Sequence, residues 1–161
     1  MTGSSAGLRA SLFDYSFMVS DGRNSRTFAQ TVATFSKSGV LLPEFEMRPE
    51  GIMQKLGEMF VHKNIAFDSH PGFSRHYQLR SSEEDKTREL FGPDLLAFLE
   101  GLDPKKKWRL EGGAETLIVY RMGKRVKPNE FRTFLEETSS LASSFLSLGG
   151  VSKSANQETK T

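Results

Sequence analysis

Residues 108–148 read WRLEGGAETLIVYRMGKRVKPNEFRTFLEETSSLASSFLSL, and this stretch decides the fold. Trp108 and Leu110 alternate with Arg109 and Glu111. After Gly112-Gly113-Ala114 a second run, residues 115–121, is rich in β-branched and aromatic side chains. Two glycines between such runs supply the positive φ of a tight hairpin loop. The second run is apolar on both faces, Leu117 and Val119 against Ile118 and Tyr120, which suits an inner strand. A turn at Met122-Gly123 leads to Pro128, whose fixed φ and missing N–H suit a first helical turn, and Glu130 there favours the helix dipole. From that point Phe131, Phe134, Leu135, Thr138, Leu141, Ala142 and Phe145 fall near helical spacing, with Arg132, Glu136, Glu137, Ser140 and Ser143 on the other side. The prediction is a hairpin followed by a helix that lays its apolar stripe across a sheet and stops at Gly149-Gly150.

Upstream, Phe13, Tyr15, Phe17 and Val19 alternate with Asp14, Ser16 and Ser20, which predicts a half-buried strand. The turn-forming residues 20–25 join it to a second strand over residues 27–35. Residues 41–48 are extended but carry Pro43, which suits a strand start or a sheet edge. A short helix follows, with Ile52, Met53, Leu56, Met59 and Phe60 on one face. Residues 73–80 alternate as a strand with one polar face. Ser-x-x-Glu spacing from Ser81 predicts a capped helix running to Phe91, and Gly92-Pro93 re-caps a second one containing Leu95, Leu96, Phe98, Leu99 and Leu102. The order β-β-β-α-β-α-α-β-β-α predicts an α+β fold: one mostly antiparallel sheet of about five or six strands with helices on one face. Residues 8–148 form the single domain. Residues 1–7 and 149–161, small and polar, read as disordered tails.

Composition narrows the chemistry. The chain of 161 residues has no cysteine, which excludes disulfides, thiolate zinc sites and cysteine nucleophiles, and suits a reducing compartment. Twenty-two basic against 20 acidic residues give a net charge of +2, far from the profile of a dedicated nucleic-acid binder. No apolar run approaches the length of a membrane span, and residues 1–7 carry no signal segment.

Two groups of residues could carry chemistry. All three histidines lie between His62 and His76. In that region Asp68, His70 and His76 are candidates for a metal site, although neither His-x-x-x-His nor His-Glu-x-x-His spacing is present. Gly72-Phe73-Ser74-Arg75-His76 lacks the second glycine of a nucleophile elbow. Acid pairs such as Glu44/Glu46 and Glu111/Glu115 have glycosidase chemistry but also the spacing of a solvated strand face. The second group is cationic: Lys105, Lys106, Lys107 and Arg109 before the hairpin, and Arg121, Lys124, Arg125 and Lys127 after it. Pairing around Gly112-Gly113 would bring both sets to one end of the hairpin, where they could hold phosphates or an anionic surface.

In their order, Phe13-Asp14-Tyr15, Gln30-Thr31-Val32-Ala33, Leu42-Pro43-Glu44-Phe45, Phe67-Asp68, Phe73-Ser74-Arg75-x-Tyr77-x-Leu79 and Leu117-x-Val119-Tyr120-Arg121 resemble a family of uncharacterised bacterial proteins. The resemblance covers most of residues 13–134. It implies a membrane-spanning segment ahead of the domain, whereas nothing apolar precedes Leu8, and it transfers no activity or functional residue. The functional expectation is a non-catalytic binding or scaffolding domain that works in the cytoplasm or on the cytoplasmic side of a membrane. It needs no cofactor and has a protein or an anionic surface as its partner. The alternatives are an enzyme or metal-binding protein using residues 62–76, and a phosphate, nucleic-acid or anionic-membrane binder using the cationic rim.

Overall fold

The computed structural model describes residues 1–5, 7–51 and 63–148. Its strands are β1 (Thr2–Ser5), β2 (Leu8–Ser20), β3 (Ser25–Lys37), β4 (Leu42–Pro49), β5 (Tyr77–Ser81), β6 (Arg109–Ala114) and β7 (Thr116–Tyr120). Its helices are α1 (Pro71–His76), α2 (Glu84–Leu90), α3 (Pro93–Glu100) and α4 (Phe131–Leu148), with single 3₁₀ turns at Pro104–Lys106 and Pro128–Glu130. The strands form one antiparallel sheet in the order β1-β2-β3-β7-β6-β4-β5. This is the predicted α+β class with a slightly larger sheet. The predicted helix at Ile52–Phe60, the stop at Gly149-Gly150 and the C-terminal tail lie outside the described residues.

Alternation decides which side of the sheet the helices cover. Ala33 and Phe35 of β3, Phe45 and Met47 of β4, Tyr77 and Leu79 of β5, Leu110 of β6, and Leu117 and Val119 of β7 face one layer. There they meet Leu90, Phe91, Leu95, Leu96 and Leu99 from the α2–α3 pair, and Phe134, Leu141, Ala142, Phe145 and Leu146 from α4. Phe45 is the junction: its ring stacks on Phe145 at 5.6 Å and meets the edge of Phe91 at 5.2 Å. Burial of this stripe, more than helix propensity, holds α4 in place.

Four local predictions are corrected. Residues 2–5, read as part of a disordered tail, pair with Leu8–Ser11, and the Met1 ammonium donates to the Leu12 carbonyl at 2.9 Å. The expected strand over residues 73–80 begins as α1, because Phe73 and Tyr77 are four apart and satisfy helical spacing as well as alternation. Positive φ in the β6–β7 loop is taken by Ala114 (φ 50), not by the glycines. Gly112 is required for another reason: a Cβ there would lie 2.2 Å from Cε1 of Phe45. Finally, Ser81 does not cap α2. Its hydroxyl donates to the Glu44 carbonyl at 2.6 Å and accepts from the Glu83 N–H at 2.8 Å, tying the end of β5 to β4 and to the helix start.

Candidate functional site: the second face of the sheet

The two faces of the sheet differ because the described helices all pack on one of them. On the other, the register builds rows of side chains across the strands. Val32 lies opposite Tyr120, Tyr120 opposite Arg109, and Arg48 opposite Gln78. In the next row Ile118 faces Glu111, Glu111 faces Glu46, and Glu46 faces Arg80. Three arginines, two glutamates and a tyrosine from four strands are thereby brought together.

Within this cluster Tyr120 Oη donates to Glu111 Oε1 at 2.6 Å, Arg48 Nε donates to Gln78 Oε1 at 3.1 Å, and Gln78 Nε2 donates to Glu50 Oε1 at 3.1 Å. Burial first, and then the adjacent Glu111 carboxylate, hold the Tyr120 hydroxyl well above the ordinary tyrosine range. Arg109 is only 2% exposed, and its Nε and Nη2, together with Glu46 Oε2 and Arg80 Nε, are buried with no hydrogen-bond partner among the described residues. The Glu46 carboxyl is pushed up by burial and by Glu111, against the pull of Arg48, Arg109 and Arg80.

An acid whose folded pKa is raised binds its proton more firmly in the folded chain than in the unfolded one. The resulting penalty is absent below the unfolded value, grows as pH rises toward the folded value, and is full above it. Glu46→Gln is therefore expected to raise the melting temperature at neutral pH, with the gain vanishing at about pH 4 and below. Thermal melts of both proteins across that range provide the check.

Toward the β2–β3 hairpin the same face becomes aromatic. β2 and β3 pair along their full length, from Leu8↔Lys37 to Ser20↔Ser25, but β7 accompanies β3 only over Val32–Ser36 and β1 accompanies β2 only over Leu8–Ser11. The remainder, residues 13–20 with 25–31, runs past its neighbour strands as a two-stranded ribbon. Phe13, Tyr15, Phe17 and Val19 occupy one face of it with Arg26 and Phe28. Tyr15 stacks on Phe17 at 5.8 Å and Phe17 on Phe28 at 5.3 Å, yet Phe13 and Tyr15 remain 47% and 50% exposed.

The base of the ribbon is fixed by the segment after β7. Thr31 Oγ1 donates to Asp14 Oδ1 at 2.7 Å and accepts from the Val126 N–H at 2.9 Å. Arg125 Nε donates to Asp14 Oδ2 at 3.0 Å, and the Gly123 N–H donates to Gln30 Oε1 at 3.2 Å. The hydrogen bond from Thr31 and that from Arg125 hold the Asp14 carboxyl below the usual carboxylate range.

The exposed aromatic stripe is the feature that alternation within residues 13–19 alone does not locate. The signal that could have found it is a change of phase: Leu8, Ala10 and Leu12 are apolar on even positions, and Leu12 reaches the core, whereas the aromatics that follow occupy odd ones. In a straight strand the two sets must face opposite ways.

His62 lies outside the described residues, Asp68 is exposed, and half-buried His70 sets Nδ1 3.0 Å from the hydroxyl of its neighbour Ser69. His76 is half-buried at the end of α1, where its carbonyl accepts from the Glu50 N–H at 2.8 Å. Among the described residues no group of three His, Asp or Glu side chains converges as a metal site would require.

The hairpin register sets Arg109 opposite Tyr120, and the cationic residues on either side of the hairpin divide between tasks. Arg109 enters the face opposite the described helices. Arg121 lies over the rings of Trp108 and Phe134, 5.1 and 5.5 Å from their centroids. Lys106 pairs with Glu137 at 2.7 Å and Arg125 with Asp14. Lys105, Lys107, Lys124 and Lys127 remain exposed. No described helix is long and apolar enough to cross a membrane. Compared with protein-family models, curated proteins and solved structures, the chain matches none.

Proposed function

We propose that this domain is a non-catalytic binding module that docks a protein partner on the aromatic face of the β2–β3 ribbon, working in the cytoplasm or on the cytoplasmic side of a membrane. The observation that carries this reading is the half-exposure of Tyr15, stacked in series with Phe17 and Phe28, and of Phe13 beside it, on a face bare of described helices. Rigid aromatic rings offer large contact area at low entropic cost, which is why such groups anchor interfaces. The ribbon face carries Arg26 at its outer end, opposite Val19. A fitting partner is a segment with apolar side chains for the stack and an acidic group for that arginine. The near-balanced charge of the chain, +2 overall, favours this partner over a polyanion.

A phage-displayed peptide library selected against the wild-type domain tests the reading. The selected peptides should be rich in apolar and acidic residues, and should bind the Phe13→Ser/Tyr15→Ser variant at least about tenfold more weakly, as the loss of interface anchors implies. Peptides that bind both proteins equally would overturn it.

A further inference from the structure

Among the described residues the ribbon has an unpaired edge as well as an exposed face. Leu12 exchanges both of its main-chain hydrogen bonds with Met1, N–H to carbonyl at 2.8 Å and ammonium to carbonyl at 2.9 Å, so the peptide groups of Leu12 point away from β3. In an antiparallel ladder this direction alternates, so Asp14, Ser16, Met18 and Ser20 also direct N–H and C=O outward. Beyond Leu12 no described strand meets them. The Thr31 N–H bonds away from β2, to the Lys124 carbonyl at 3.0 Å, as its position opposite Asp14 demands under the same alternation.

Soluble proteins guard such edges with lysine, proline, bulges or brevity. The segment Asp14-Tyr15-Ser16-Phe17-Met18-Val19-Ser20 contains no lysine and no proline, and its ladder with β3 runs without a register shift. Its one charge, Asp14, is engaged by Thr31 and Arg125 of its own chain.

We infer that two copies of this chain associate by antiparallel pairing of their β2 edges, residues 14–20 against residues 20–14, to form one continuous sheet. The inference rests on the reading of the ribbon as the binding element and names a partner for its edge. Three features select a second copy. First, a strand paired with itself about a two-fold axis must be self-complementary, and this one is: apolar odd residues meet apolar odd residues on one face, and polar or flexible even ones meet on the other.

Second, the described pairing on this edge of β2 reaches Leu12 and leaves residues 14–20, and a two-fold axis at Phe17 pairs that whole segment with itself, which sets the register. Ser20 of the second copy then faces Asp14, Met18 faces Ser16, Val19 faces Tyr15, and Phe17 meets Phe17 on the axis. Third, this register keeps the two Asp14 carboxylates at opposite ends of the ladder, so no like charges face each other. About eight main-chain hydrogen bonds would form across the axis, and the two aromatic stripes would merge into one platform.

The test is mass in solution with edge variants. Light scattering after size exclusion, from about 1 to about 300 µM so that mass action can be followed, should show the wild type rising from 18.0 kDa toward twice that value. Ser16→Pro removes an outward N–H while sparing the β2–β3 ladder, and Met18→Lys places a charge on a residue that is 68% exposed. Both should stay monomeric at every concentration with unchanged circular dichroism.

The chain has no native cysteine, which permits a register test. Ser16→Cys/Met18→Cys should oxidise to a covalent dimer, since those positions face each other at a Cα separation of about 5.5 Å. Ser16→Cys alone should not, its two copies being offset diagonally by about 7–8 Å. A wild type that is monomeric throughout, or a dimer that persists in both edge variants, overturns the inference. Edge variants that lose the dimer but still bind the selected peptides separate this claim from the proposed docking face, which fails if the Phe13 and Tyr15 substitutions are silent.

Discussion

Gly112→Ala is expected to destabilise the domain by about 3 kcal/mol, the upper end of what overpacking a core costs, and to lower its melting temperature by about 6–12 °C. The position does not need glycine for its φ, which lies outside the positive region. It needs the absence of a side chain: an added Cβ would stand 2.2 Å from Cε1 of Phe45 and 2.8 Å from Cδ1 and Cζ. Phe45 cannot withdraw cheaply, because Phe145 stacks on its ring and Phe91 abuts it edge-on. Moving it displaces α4 or the α2–α3 junction. A double-mutant cycle isolates the cause. In the background Phe45→Leu, whose smaller side chain leaves room, the cost of Gly112→Ala should fall by more than half. A cost unchanged in that background would show that the strain lies elsewhere.

Phe91→Ala should cost still more, about 4 kcal/mol in urea unfolding, within the range for emptying a buried phenylalanine site. Phe91 ends α2 and is 1% exposed. Its ring meets four others: Phe45 from the sheet at 5.2 Å, Phe145 from α4 at 5.4 Å, Phe73 from α1 at 6.0 Å and Phe67 at 6.4 Å. Removing it opens a cavity where β4, α1 and α4 meet the end of α2, and the fixed ends of α2 and α3 around Gly92-Pro93 limit collapse into it. Phe91→Leu retains most of the volume and should cost less than about 1.5 kcal/mol. Similar losses for the two variants would mean that ring volume is not what this site requires.

The parts of the fold legible in the sequence are those where one periodicity persists between strong punctuation. Residues 108–148 show a period of two, a glycine-rich break, then a period near 3.6 after Pro128, and the hairpin and α4 follow from them. α1 was less legible because six residues carry less than two turns of pattern, and Phe73 with Tyr77 satisfies both periods. The glycine pair pointed correctly to a hairpin for an incorrect reason: Gly112 answers to Phe45, 67 residues earlier in the chain, and no local rule encodes that approach.

The charged cluster was hidden in the same way. Glu46 and Glu111 each appear in a spacing that reads as a solvated face, and only the placing of β4 between β6 and β5 brings them against Arg80 and Arg109. The ribbon lies between these cases. Its alternation was plain, but its outward direction depended on the phase change after Leu12 and on where the other strands stop.

Nuclear magnetic resonance with amide-labelled protein and a library-selected peptide tests the central claim most directly. Shift changes should concentrate on residues 13–19 and 26–32, on the face shared by Phe13, Tyr15 and Phe28. Changes centred instead on residues 63–76, or on the lysines at 105–107 and 124–127, would contradict that claim and move the binding site to the histidine region or to the cationic residues flanking the hairpin.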